Sequence, residues 1–327
     1  MGLNQNSGYG QAILANLHSQ VGVIGNVFIV MNSANTDEAN YQKMQNLFPP
    51  LDGINRFYTS IEDAYAACES NNNDVILLDG NSSHALTAVM NVSKNRVHFF
   101  GLDGGGRLNS QGAKISIATA VATDIAVINN SWTRNTYQNI KFIQAGTDTA
   151  CTSALIDSGE GTYVKNCQME VNTILTTVTQ AVLFTGDTCH YEDCQIGNST
   201  VLHNVDDQAP LVIQTPARYS YFINCTMINY SSETTASCID APDADSVIWW
   251  VKFENCSLMS ANLGDWATAW WTMAEAVTSV CTSWYLYFDN RCTSYNATIF
   301  AELDSSILNA SSAGAATAWG GEAVPGA

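Results

Sequence analysis

The sequence predicts an all-β fold, a three-sided parallel β-helix, and three observations carry the prediction. First, a six-residue motif keeps returning: an aromatic or Val, any residue, Asn or Asp, Cys, any residue, then an apolar residue. It reads Tyr137-Gln-Asn139-Ile140-Lys-Phe142, with Ile in the Cys place, then Val164-Lys-Asn166-Cys167-Gln-Met169 and Tyr191-Glu-Asp193-Cys194-Gln-Ile196. Phe222-Ile-Asn224-Cys225-Thr-Met227 and Phe253-Glu-Asn255-Cys256-Ser-Leu258 follow. The steps are 27, 27, 31 and 31 residues, and a decayed copy starts at Phe288 with Asp289 and Asn290. A fixed period of this size marks a repeat architecture. Second, each copy has the period-2 alternation of a half-buried strand, interrupted by one turn-forming residue. Third, a further apolar run precedes each copy: Ala154-Leu155-Ile156, Val182-Leu183-Phe184, Val212-Ile213 and Cys238-Ile239. That run supplies another side of the same coil.

If one copy is one coil, coils lie about 4.8 Å apart and equivalent residues pile up in columns. Asn139, Asn166, Asp193, Asn224 and Asn255 form a corner column, where Asn and Asp bond nearby backbone and tolerate unusual dihedrals. Ile140, Cys167, Cys194, Cys225 and Cys256 form a buried stack of small hydrophobes. A leucine-rich or helical-hairpin repeat is the alternative, but neither its consensus nor a 3.6 period occurs in these segments.

The composition narrows the partners. The 327 residues carry 12 Lys and Arg against 30 Asp and Glu, a formal net charge of −18. Nucleic-acid binding runs on Lys and Arg, so a nucleic-acid partner is excluded, and the acidity serves solubility or docking on a basic surface. The 46% hydrophobic content suffices for a continuous solenoid core, and 13% charged residues suit a turn-rich coil. The run Val21 to Met31 is too short, and too broken by glycine, to span a membrane. Met1-Gly-Leu-Asn-Gln-Asn does not open a signal peptide, so the ten cysteines are expected as free thiols made in a reducing cytosol.

In chain order, residues 1–20 read as a polar, flexible arm. Residues 21–58 form a small N-terminal module: a strand in Val21–Met31, then a helix from Asp37 to about Leu47, ended by Pro49-Pro50. The β-helix spans 59–308. It opens with a capping box, Ser60-Ile-Glu-Asp63, and a helix over 61–70 whose apolar positions cover the exposed end of the solenoid. Ile115-Ser-Ile117 and Ile125-Ala-Val127 lead into the repeats. Trp249, Trp250, Trp266, Trp270, Trp271 and Trp284 crowd the far end, where Asp265 to Val277 reads as a short helix or an irregular excursion. Residues 309–327 are a low-complexity tail.

Past the cap helix come Asp74-Val-Ile-Leu-Leu-Asp79 and Lys94-Asn-Arg-Val-His-Phe-Phe-Gly101-Leu-Asp-Gly-Gly-Gly106. This order resembles the start of pectin-lyase-like right-handed parallel β-helix proteins. More narrowly, with the strand-helix segment before it and the Gly/Ala/Pro-rich end, it resembles β-helical virion structural proteins of tailed phages. The resemblance covers nearly the whole chain and rests on texture, not on a catalytic signature.

The chemistry-bearing residues are sparse. Glycoside hydrolysis wants two carboxyls roughly 5–9.5 Å apart. The column before the corner reads Gln138, Lys165, Glu192, Ile223, Glu254; the one after the Cys reads Lys141, Gln168, Gln195, Thr226, Ser257. The position following the second apolar run reads Asp157, Thr185, Gln214, Asp240. None sets two acids on adjacent coils, and Lys165 over Glu192 reads as an exposed ion pair. Asp206, Asp207, Asp240, Asp243 and Asp245 read as solvated loop acids, with a calcium site or a carboxylate pair as the functional alternatives. His18, His84, His98, His190 and His203 share no metal-ligand spacing, and Gly104-Gly105-Gly106 lacks the Lys-Ser/Thr of a phosphate loop.

These readings predict a non-enzymatic structural protein without a cofactor or metal, located in a phage virion assembled in the host cytoplasm. It is expected as a capsid decoration or head-surface protein, a homotrimer docked through its N-terminal arm on the major capsid protein or another virion protein, with no membrane partner. The alternative is a tailspike-like or fibre-like protein that binds or cleaves host glycan. In that case Trp249, Trp250, Trp266, Trp270 and Trp271 stack on sugar rings; otherwise they serve interface and cap.

Overall fold

The computed structural model describes residues 24–32, 41–42, 45–46, 48–51, 53–80, 83–102, 112–123, 125–233, 235–243, 245–260, 273–279, 285–295, 297–301 and 307–309. Three parallel sheets wind around one core. The first has eleven strands, running from Phe57–Tyr58 through Val27–Val30, Asp74–Leu78 and Val97–Gly101 to Thr136–Gln138, Tyr163–Lys165 and His190–Glu192. It continues through Ser220–Ile223, Trp250–Glu254 and Tyr285–Phe288 to Ile307–Asn309. The other two have eight strands each, from Ser83–Leu86 to Thr293–Tyr295 and from Met90–Val92 to Ala297–Ala301. This is a three-sided parallel β-helix. Among the described residues no helix is long and apolar enough to cross a membrane.

The register stacks the motif copies. Val164 lies between Tyr137 and Tyr191, Tyr191 pairs with Phe222, Phe222 with Phe253, and Phe253 with Phe288. The rings form a ladder that begins in the helix Ile61–Ala67: Tyr65 on Phe99, Phe99 on Tyr137 at 5.2 Å, and beyond Val164, Tyr191 on Phe222 at 4.7 Å and Phe253 on Phe288 at 4.6 Å. Cys167, Cys194, Cys225 and Cys256 are fully buried beside it. Each thiol donates to the carbonyl of the aromatic-column residue one coil back, as from Cys167 to Tyr137 at 3.5 Å and from Cys256 to Phe222 at 3.3 Å. Cys292 continues the column with a bond to Phe253 at 3.4 Å. Four residues separate Phe288 from Thr293 where three separate Phe253 from Ser257, and this one extra residue is why the sixth copy looks decayed in the sequence.

The corner residues Asn139, Asn166, Asp193, Asn224 and Asn255 all have left-handed φ, between 50° and 57°. Such a backbone costs an ordinary L-residue roughly 1–2 kcal/mol and suits Asn and Asp best after Gly. Their side chains form a ladder: Asn166 donates to Asn139 at 2.7 Å, Asn224 to Asp193 at 3.1 Å and Asn255 to Asn224 at 2.8 Å. A second left-handed column opens the first-sheet strands from Thr136–Gln138 to Trp250–Glu254, at Arg134, Gly161, Thr188, Tyr219 and Trp249. Its residue types share nothing, so pattern alone does not find it.

The N-terminal strand Val27–Val30 pairs directly with Asp74–Leu78 and extends the first sheet. Helical backbone occurs at 41–42 and 45–46. The cap helix ends at Ala67, short of residue 70, with Cys68 extended and Asn71 and Asn73 left-handed after it. Ser60 accepts from the Asp63 amide at 3.1 Å. The last turn has no basic residue of its own; Lys94 reaches over from the loop after Met90–Val92 and donates to the carbonyls of Tyr65, Ala66 and Cys68 at 2.8–2.9 Å. That satisfies orphan carbonyls at the negative end of the helix. Met273–Ser279 is a strand of the third sheet, which corrects the helix or irregular excursion expected up to Val277.

One column expected from the sequence is corrected. Asp157 pairs with Phe184, not with Thr185, because the apolar runs align one residue differently: Leu155 with Val182 and Ile156 with Leu183. A one-residue slip moves a side chain to the other face, and Asp157 points into the core, fully buried. Donors from three coils meet it: Asn130 at 2.8 Å, Thr162 at 3.0 Å, the Gly159 amide at 3.1 Å and the Tyr191 hydroxyl at 2.7 Å. Burial raises its pKa although these bonds oppose the shift.

Two outcomes test this architecture. Asn224→Ala is expected to cost about 1–3 kcal/mol, since Ala is strained at this φ and both ladder bonds are lost, whereas Asn224→Gly loses only the bonds; denaturant unfolding measures both. His98 is buried against Thr136, and burial lowers its pKa from 6.5 to about 4. Between those values the unfolded chain holds the extra proton. Its stability contribution is therefore complete above pH 6.5, falls as pH drops towards 4, and amounts to roughly 3 kcal/mol. A His98→Asn variant should lose that much less stability over this window in melts at stepped pH.

Candidate functional site

First-sheet strands alternate inward and outward, and the outward residues make a surface that the motif itself does not display. One outward column is Tyr163, His190, Tyr221, Lys252, Tyr287, set by direct Cα pairing on successive coils. Beside it runs Lys165, Glu192, Ile223, Glu254. At the entry to the strands lie Tyr219, Trp249, Trp250 and Tyr285, with Tyr285 paired to Trp250. Together these place six aromatic rings on a rigid sheet towards the C-terminal end of the solenoid.

Tyr221, Trp250, Lys252, Tyr285 and Tyr287 line an open cleft of about 360 Å³. Trp250 meets Tyr221 edge to face at 5.0 Å and Tyr219 at 5.7 Å, while Tyr219 and Trp249 stack at 6.1 Å. Trp249 is 46% and Tyr285 44% exposed, so large ring faces remain open to a ligand. The position of Trp249 has a structural cause. In the four preceding coils the two left-handed residues are five apart, as in Tyr219 and Asn224; here Trp249 and Asn255 are six apart. The extra residue leaves Trp249 outside the strand with φ at 82°, a conformation that an aromatic residue holds only where its surroundings impose it.

The charges on this face are paired. Lys252 sits 5.9 Å from the Tyr221 ring and 5.3 Å from the Tyr287 ring, and bonds Glu254 at 2.7 Å. Arg291 reaches Glu254 at 3.6 Å and Asp289 at 2.6 Å. Lys165 bonds Glu192 at 2.8 Å, and the Tyr163 hydroxyl donates to the same carboxylate at 2.6 Å. Burial alone would raise the Glu192 pKa, but the bonds from Lys165 and Tyr163 outweigh it and the net shift is downward. Glu192 is thus held ionised, the protonation state of a base. It shares a column with Glu254 two strands away, roughly 9.6 Å along the backbone. His190 lies between Tyr163 and Tyr221, and burial lowers its pKa.

Of the residues singled out by sequence, Trp249 and Trp250 are in this cleft region; Trp266, Trp270 and Trp271 lie outside the described residues, as do Gly104-Gly105-Gly106 and His18. The corner column runs along one edge of the sheet that carries the cleft, and the buried cysteine column lies just past it, before the second sheet. Among the described residues no group of three or more His, Cys, Asp or Glu is placed to hold a metal. The Asp206 carboxylate accepts from the Thr235 hydroxyl, the backbone amides of Asp207 and Asp243 donate to the hydroxyls of Thr235 and Ser246, and Asp240 lies on a third-sheet strand. Tyr219, Tyr221, Lys252, Tyr285 and Tyr287 escaped the sequence reading. The position just before each motif copy would have found three of them, since Tyr221, Lys252 and Tyr287 follow there at the motif's own period.

No family model matches the sequence, and no curated protein matches it. Solved structures match in fold. The pectin methylesterase from Aspergillus niger, in deglycosylated form, has a TM-score of 0.52 at 13% identity, covering 88% of this chain and 87% of its own. Pectate lyase Pel9A has 0.54 at 12%, covering 90% of this chain and 72% of its own. At such identities the likeness is one of fold, the parallel β-helix. Neither neighbour is a virion protein. The expectation of a non-enzymatic chain is corrected here: structures sharing the fold over most of their length are enzymes. That expectation rests on the lack of acids on adjacent coils; the same outward column carries Glu192 and Glu254 two coils apart.

The backbone at Trp249 yields a test. Trp249→Gly relieves about 1–2 kcal/mol of left-handed strain and forfeits about 0.5–1.5 kcal/mol of ring stacking, so its unfolding free energy should stay within about 1.5 kcal/mol of the parent. Trp249→Ala keeps the strain, loses the stack and should be the less stable of the two in chemical denaturation.

Proposed function

We propose that this chain is a glycan-active β-helix of the tailspike or tail-fibre kind, which holds a host surface glycan in the aromatic cleft of its first sheet. The observation that carries this reading is the cleft itself: Trp250, Tyr221, Tyr285 and Tyr287 around 360 Å³ of open space. Ring faces pack on the apolar faces of sugars while Tyr hydroxyls and the indole N–H meet sugar hydroxyls. The shared fold with pectin-acting enzymes supports the reading, since a parallel β-helix can present an extended groove to a polysaccharide. Virion localisation and homotrimer assembly belong to the same proposal and rest on the resemblance of the chain's opening to phage β-helices. Nothing in the fold or the comparisons supports a capsid-decoration role.

The reading extends to cleavage. Glu192, held ionised, and Glu254, bonded to a lysine of the cleft, are two carboxylates of the outward column beside it. Their backbone separation of roughly 9.6 Å is just beyond the range of about 6.5–9.5 Å between the carboxyl groups of inverting hydrolases, a gap that the side chains close by leaning towards each other.

A glycan array combined with a reducing-end assay tests both parts. Selective binding is expected, with Trp250→Ala and Tyr287→Ala each weakening it tenfold or more, about 1.4 kcal/mol. If new reducing ends appear, Glu192→Gln should suppress them while binding persists. Array binding unaffected by both aromatic variants would remove the cleft from the proposal.

A further inference from the structure

Resting on the reading of the cleft as a glycan site, we infer that its ligand is an uncharged glycan and not a polyuronate. A polyuronate carries a carboxylate on each sugar, and a site for it needs cations free to meet them. Here the four cations beside the cleft are already committed to carboxylates on the same face. Lys252 bonds Glu254 at 2.7 Å, and Arg291 lies 2.6 Å from Asp289 and 3.6 Å from Glu254. Lys165 bonds Glu192 at 2.8 Å, and Arg218 meets Asp187 through two nitrogens at 2.7 and 2.8 Å. Four positive groups stand against Asp187, Glu192, Glu254 and Asp289, so the face is locally neutral. The chain around it carries a net charge of −18, whose field repels a polyanion before contact.

Lys252 makes the point most directly, because it is the cation that lines the cleft. Its ammonium is aimed along the sheet at Glu254, between the Tyr221 and Tyr287 rings. A uronate arriving there would have to take Lys252 from Glu254 and would leave two carboxylates sharing one lysine, a like-charge contact that disfavours both. A neutral sugar ring meets no such penalty. It lies on Trp250 and Tyr285 and bonds hydroxyls to the existing Lys252–Glu254 pair, which offers a donor and an acceptor side by side.

The test titrates the full-length protein, followed by tryptophan fluorescence and calorimetry, with polygalacturonate and with a panel of neutral oligosaccharides and polysaccharides, at low and high salt. The expected result is saturable binding of a neutral glycan, insensitive to salt and lost in Trp250→Ala, with polygalacturonate at least tenfold weaker. Glu254→Gln, checked for folding by circular dichroism, should gain polygalacturonate binding severalfold because it frees Lys252, while Arg291 stays on Asp289. Polygalacturonate binding by the unaltered protein that depends on Trp250 and exceeds that of every neutral glycan would overturn the inference while leaving the cleft a glycan site. If no glycan of either class binds, or if binding ignores Trp250→Ala, the reading of the cleft itself falls. Should Glu254→Gln fail to fold, the comparison of the two ligand classes on the unaltered protein still decides.

Discussion

The structure depends on where each coil turns. Every first-sheet strand from Thr136–Gln138 to Trp250–Glu254 lies between two residues with left-handed φ. At seven of these corners the backbone N–H of the left-handed residue bonds a carbonyl of the next coil, as from Asn139 to Lys165 at 3.1 Å and from Thr188 to Arg218 at 3.0 Å. The turn and the inter-coil bond are therefore the same event, and a coil cannot slip without losing both. The aromatic ladder and the thiol column follow from this, because fixed corners bring residues about thirty positions apart directly over one another. Where a coil is longer, the rule bends locally: Asp289 supplies its carboxylate to the Asn255 amide at 3.0 Å, in the place that a backbone carbonyl fills elsewhere.

How much of this was legible in the sequence follows from how local each requirement is. The Asn/Asp corner demands a particular residue chemistry, so it shows as a column, and with it the coil period and the inward faces of the first two sheets. The opposite corner is held by backbone bonds alone, and Arg134, Gly161, Thr188, Tyr219 and Trp249 give no common signature. The third sheet was misaligned by one residue because a run of apolar residues fits two registers equally well. What decides it is the burial of Asp157, and that is made by Asn130 one coil before and Tyr191 one coil after. No pattern read along a single strand contains such information.

The candidate site was legible only in part for a related reason. Trp249 and Trp250 announce themselves by composition, but a cleft is a relation between columns. Tyr163, His190, Tyr221, Lys252 and Tyr287 share a position without sharing a residue type, because outward positions are free of the packing that makes inward columns uniform. They become a surface only once the register is known. The non-enzymatic reading failed in the same way: it tested acids on neighbouring coils, whereas a flat sheet also brings together residues two coils apart.

The rigidity of the rod also explains why an added residue could create something useful at its surface. Inserting one residue within a strand would turn every later side chain to the wrong face. Inserted at the corner before Trp250–Glu254, it leaves Val251 and Phe253 in the core and Lys252 outside, in step with Ser220, Phe222 and Tyr221. All the displacement is absorbed by Trp249, which is pushed outward into a backbone conformation it would not choose. The solenoid bears that local strain because the strand beside it is anchored on both sides by parallel neighbours. The rings of the cleft are consequently held by strands and not by a loop, so a ligand that meets them loses little affinity to ordering the site. A face of this kind recognises shape and apolar ring area first; its charges, cancelled in pairs, act as fixed hydrogen-bonding groups rather than as a field.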